Sequence, residues 1–188
     1  MSAHKIYGPK GAGALFVRKG VNLRPLLHGG SQERKRRGGT ENVAGVVGFA
    51  RAAQWVKNES AAEATRQGAL RDRLETALLD RIPDAHVNGA GAPRVANTCN
   101  IRFDGITSEP LLIALDMRGF AVSSGSACSS GSTEPSHVLL AMGLTKEQAR
   151  SSIRISLGRM NTLEQVDALT EAITESVAHL RRLAPAYA

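Results

Sequence analysis

The chain has 188 residues, 42% hydrophobic and 22% charged, with a formal net charge of +7. That is enough for one domain and part of another in an ordinary globular composition, and no apolar run is long enough for a transmembrane helix. The start, Met1-Ser2-Ala3-His4-Lys5, lacks the pattern of a secretory signal, and Cys99 and Cys128 with five histidines at unsuitable spacings make no zinc site.

In chain order, the first elements are a glycine turn at residues 8–13 and a short buried strand at Ala14–Val17. Residues 28–40 read as a polar loop holding Arg34-Lys35-Arg36-Arg37. That run reads as a solvated basic loop, and no aromatic residue interleaves to stack on bases. A helix follows through Val43, Val46, Val47, Ala50 and Ala53 and resumes from Ala61 to Leu79, with a bend or a plain polar turn at residues 57–60. Strands are expected at residues 85–88, 98–103, 120–123 and 153–157, and helices at 108–118, 136–142 and 146–151. Thr162 and Gln165 form a capping box before a final helix that turns Leu163, Val166, Leu169, Ile173, Val177 and Leu180 inward. The fold class is α/β, with residues 1–59 a remnant of one layer and residues 60–188 a small compact domain.

Four stretches carry chemistry. In Ser2–Gly11, Lys5 between small polar residues and a glycine turn suits a Schiff base and equally suits a surface lysine; Ser2 offers a hydroxyl to a phosphate. In Ser123–Ser132, Cys128 has no apolar neighbours to bury it and reads as a used thiol, whereas Cys99 in a strand-like run reads as core. Arg154 alternates with Ile153, Ile155 and Leu157, so on a strand it faces away from them, either gripping a carboxylate or facing solvent. Arg37-Gly38-Gly39-Thr40-Glu41-Asn42 fits a phosphate corner, and Thr40 alone fits a helix N-cap.

These stretches, with Glu134–Leu139, come in the order of the NifS/IscS-type cysteine desulfurases, and the resemblance runs over essentially the whole chain. That family is a branch of the class-V aminotransferase-like, fold type I enzymes of pyridoxal 5′-phosphate. The resemblance implies the C-terminal half of such an enzyme: part of the cofactor-binding large domain, then the small α/β domain. It implies Lys5 as the cofactor lysine and Ser2, Ala3 and His4 beside the phosphate, with His4 also in the catalytic set. Thr40 would reach the cofactor of the other subunit of a homodimer, and Arg154 would bind the carboxylate of L-cysteine. Cys128 would take the sulfur as a persulfide for an iron–sulfur scaffold or another acceptor protein, with a transient [2Fe-2S] contact. A cytoplasmic protein is implied, and neither a membrane nor nucleic acid is an expected partner. Family members are much longer, with ring-contacting residues before the lysine, so this chain reads as a fragment or one part of a split enzyme. Selenocysteine lyase and a non-catalytic module, its small domain docking to a scaffold through a basic surface, are the alternatives.

Overall fold

The computed structural model describes residues 1–124 and 135–183. They fall into two compact units, Met1–Ala62 and Glu63–Ala188.

The first unit is built on a tight turn. A 3-10 helix, Ala3–Ile6, is closed by Lys5 N–H donating to Ser2 O at 3.1 Å and Gly8 N–H to Ala3 O at 2.9 Å. The bridge Ser2–Gly13 folds the following glycine turn back over it. A Cβ on Gly13 would lie 2.8 Å from Met1 O, so only glycine lets the two backbones approach. The strand expected at Ala14–Val17 does not form. A strand needs neighbours along its length; here the Ser2–Gly13 bridge and the two bonds between Ala14 and Met1, Ala14 N–H to Met1 O at 2.9 Å and the Met1 amine to Ala14 O at 2.7 Å, stop at Ala14, and Leu15 and Phe16 are left 76% and 90% exposed. A four-residue turn, α1 (Gln32–Lys35), carries left-handed backbone at Glu33 and Arg34. Helix α2 (Val43–Arg81) then runs unbroken. Residues 57–60 make no bend, since Lys, Asn, Glu and Ser are polar without breaking a helix as Gly or Pro would. Its cap is Asn42, whose Oδ1 accepts from Gly45 N–H at 3.0 Å, and not Thr40.

The second unit holds an antiparallel sheet in the order β1 (Ala85–Val87), β2 (Thr98–Phe103), β3 (Ser152–Ser156). The pairs Cys99–Ile155, Ile101–Ile153 and Ala85–Phe103 put one face into the core. Against that face pack Leu70, Leu74 and Leu78 from α2, Leu111 and Leu115 from α3 (Ser108–Asp116), and Val166, Ile173 and Val177 from α6 (Leu163–Leu183). Each such side chain contributes roughly 1.5–3 kcal/mol on burial. Leu163 stays 43% exposed in the first turn of α6, although the helical pattern turned it inward. The expected Thr162–Gln165 box forms, each backbone N–H reaching the other's side chain at 3.3 and 3.4 Å. Two short helices, α4 (His137–Ala141) and α5 (Lys146–Arg150), precede β3, and α5 has its own box between Thr145 and Gln148. Residues 120–123 form no strand; Ser123 alone bridges to Arg154.

Arg66 braces the turn after β3. Its guanidinium pairs with Glu63 and donates to the carbonyls of Gly158, Arg159 and Asn161 at 2.8–3.2 Å. Among the described residues, no helix is long and apolar enough to cross a membrane.

Candidate functional site

Ser2, His4 and Lys5 stand on the 3-10 turn, exposed, over a fully buried Ala3. Ser2 is the extended residue that leads into the turn, and Lys5 lies three residues on, within it. The Ser2 hydroxyl is not spent on capping the turn. The turn is anchored to the first part of α2. Tyr7, in the left-handed region at φ 66°, sets its ring edge-on to Trp55 at 5.7 Å, and Pro9 packs so closely on Gly48 that a Cβ there would lie 3.0 Å from it. Thr40 is exposed, at the end of a loop whose neck is closed by Gly38 N–H on Leu27 O at 2.9 Å.

In the second unit, Arg154 lies on the sheet face away from the core. Ile153 and Ile155 on either side are buried, while Arg154 is half-buried and its Nε is enclosed with no hydrogen-bond partner among the described residues. It is therefore not a solvent-facing arginine. A buried donor left unmade is costly, which is the mark of a group awaiting an acceptor. Ser123 clamps the same residue: Ser123 N–H donates to Arg154 O at 3.1 Å and Arg154 N–H to Ser123 O at 2.5 Å. The motif that leads to Cys128 and the motif of Arg154 thus meet along one strand edge. Cys128 itself lies outside the described residues.

Sequence reasoning missed a polar network on that face. Asn100 faces Arg154 across the sheet; its Oδ1 accepts from Asn88 Nδ2 at 2.6 Å, and Asn88 also donates to Ser152 Oγ at 3.0 Å. Alternation along β2 put Asn100 on the polar face, but nothing in the pattern linked it to Asn88 or Ser152.

Cys99 is 1% exposed in the core. Burial first, and then the Glu75 carboxylate beside it, push its thiol well above the usual range. Glu75 is held in turn by both guanidinium nitrogens of Arg94, at 2.7 and 2.9 Å. A Cys128→Ser variant should therefore take up no thiol reagent in native buffer and label only on unfolding. Native labelling of Cys99 would contradict the burial.

The class-V aminotransferase family model matches residues 1–169. The chain belongs to that family. The relatives named cysteine desulfurase IscS in Methanosarcina thermophila and cysteine desulfurase in Trichormus azollae are 50% and 51% identical over 185 residues, 98% of this chain and 46% of theirs. A solved NifS-like protein superposes with a TM-score of 0.82 at 39% identity, over 95% of this chain and 46% of that one; another from Rickettsia africae gives 0.74 at 32%, over 84% and 41%. The chain spans about half the length of the curated relatives it matches. Its α/β fold is the one those structures share over that half.

The family implies pyridoxal phosphate. The donor set fits its two demands. An amine stands at Lys5, and an unspent hydroxyl and an imidazole stand at Ser2 and His4 on the same turn.

Proposed function

We propose that this chain is the lysine- and cysteine-bearing half of a pyridoxal-phosphate-dependent cysteine desulfurase. The observation that carries the reading is the Ser123–Arg154 clamp. It fixes the residue five positions before Cys128 against the strand of a half-buried arginine whose Nε has no acceptor among the described residues. Five residues of chain span at most about 18 Å, a tether short enough to let Cys128 approach Arg154.

Lys5 would hold the cofactor, with Ser2, Ala3 and His4 at its phosphate and Thr40 reaching the one bound in the other subunit of a homodimer. Bound pyridoxal phosphate supplies an electron sink for the substrate's α-carbon. Arg154 orients L-cysteine by two parallel hydrogen bonds to its carboxylate. The Lys5 amine moves protons at the α-carbon, and His4 beside it shares in positioning. Cys128, as thiolate, forms an S–S bond to the substrate sulfur while the Cβ–S bond breaks. The bond's electron pair stays with carbon and takes a proton, so cysteine and a thiol become alanine and a persulfide. The persulfide then passes its sulfur to an iron–sulfur scaffold or another acceptor protein, with a transient [2Fe-2S] contact at Cys128, in the cytoplasm.

Borohydride reduction of the chain mixed with pyridoxal phosphate, and with the N-terminal half of a relative to complete the fold, should leave a phosphopyridoxyl mass on the Lys5 peptide. Lys5→Ala should lose it. An adduct of equal yield in the variant, or one spread over surface lysines, sinks the assignment.

A further inference from the structure

Arg154 differs from the arginines around it. Seven others in the second unit pair with a carboxylate, whereas Arg154 pairs with none among the described residues. The cause lies in the face it occupies. Alternation along the strands puts Thr98, Asn100 and Arg102 of β2 beside Ser152, Arg154 and Ser156 of β3, on the side of the sheet opposite Cys99, Ile101 and Phe103. No member of that set is acidic. The carboxylate just past β2, Asp104, is taken by Arg102 Nε at 3.1 Å, with His86 Nε2 3.4 Å from its other oxygen.

Asn100 is the direct cross-strand partner of Arg154. Facing residues of an antiparallel pair have Cβ atoms about 4.5–5.5 Å apart, so this carboxamide borders the arginine's stem. It does not swing freely. Asn88, 8% exposed, donates its backbone N–H to Asn100 O at 2.8 Å and its Nδ2 to Asn100 Oδ1 at 2.6 Å. The same Nδ2 donates to Ser152 Oγ at 3.0 Å, and the fully buried Ser152 hydroxyl donates on to Gln148 O at 2.7 Å. The bonds run from the residue after β1 across β2 and β3 to α5. With Oδ1 committed to Asn88, the other end of the Asn100 amide is a donor, and a guanidinium, which has donors alone, cannot pair with it.

We propose that Asn100 is a positioning residue for Arg154. Anchored by Asn88 and Ser152, it fills the place beside the arginine with a neutral group, which supports the stem and leaves the guanidinium unpaired for the carboxylate of the substrate. An acid in that place would pair with the arginine and compete with the ligand. An alanine would remove the lateral support. The inference rests on the carboxylate role of Arg154 proposed above.

Two measurements test it. In the full chain, proton–nitrogen NMR reads the Arg154 Nε–H, its signal assigned by loss in Arg154→Lys. Being enclosed, that proton should exchange slowly with water. Asn100→Asp should move the signal as an acceptor arrives, and Asn100→Ala should speed its exchange at least about tenfold. In the enzyme completed with the N-terminal half of a relative and pyridoxal phosphate, a carboxylate-bearing substrate analogue and its amide are titrated. Asn100→Asp should weaken the carboxylate ligand at least about tenfold and leave the amide within about twofold, because only the carboxylate competes for the guanidinium. Asn100→Ala should fall between Asn100→Asp and the unchanged chain. Should Asn100→Asp lose its circular dichroism, Asn100→Ala carries both readings: faster Nε–H exchange, and a larger loss for the carboxylate than for the amide. An Nε–H signal unmoved in either variant, or equal effects on the two ligands, overturns the proposal. Should Arg154→Ala itself leave the preference for the carboxylate intact, the reading of Arg154 falls, while the Nε–H signal still decides whether Asn100 governs that side chain.

Discussion

Replacing Phe103 by alanine is expected to destabilise the Glu63–Ala188 unit by about 3–5 kcal/mol. The side chain is fully buried at the end of β2, opposite Ala85, among the largest enclosed groups of the unit. Its neighbours are fixed by other constraints. Phe103 N–H donates to Ser151 O at 3.1 Å, and Asp104 N–H to Asp84 O at 3.1 Å, so the strand end cannot slide inward to fill the gap. The void would stay, adding its own cost to the lost transfer energy of the ring. Urea unfolding followed by circular dichroism reads the effect as a lower midpoint at unchanged slope. A loss below about 1 kcal/mol would mean that the site collapses freely and that Phe103 is not central to the core.

In the complete holoenzyme, Arg154→Ala should weaken capture of the substrate carboxylate by about 2–5 kcal/mol, roughly thirty-fold to a few thousand-fold. The basis is the enclosed Nε without an acceptor among the described residues and the backbone clamp to Ser123, which fixes where the side chain starts. Lysine at this position keeps the charge but loses the two-pronged geometry, so it should recover only part of the affinity. Titration with a carboxylate-bearing inhibitor and with its amide separates the two possibilities. If Arg154→Ala weakens both ligands equally, the side chain acts through general packing and the carboxylate role is lost.

Much of the second unit was legible because its signals are local. Period-two alternation in residues 98–103 and 153–157 reads directly as half-buried strands, and the structure pairs them. The same alternation turned Arg154 from the core. The first unit was less legible. Ala14–Val17 has the composition of a buried strand, but strand formation is decided by neighbours, and here the pairing ends with the Ser2–Gly13 bridge and the bonds between Ala14 and Met1. Thr40 and Asn42 are both good capping residues, and sequence does not say which oxygen meets a free N–H; Asn42, three residues before Gly45, does. Cys99 was legible as core, whereas its Glu75 and Arg94 neighbours come from a helix and a loop that only the fold assembles.

The brace from Arg66 to the carbonyl of Asn161 joins positions 95 apart in the chain. A ribosome adding about 5–20 residues each second would expose the first partner some five to twenty seconds before the second. Leu74 and Leu78 emerge in that interval without Ile153, Val166 and Ile173, which later cover them. The nascent polypeptide must therefore carry bare leucines until those later residues are made, a window in which holdase chaperones would compete with self-association.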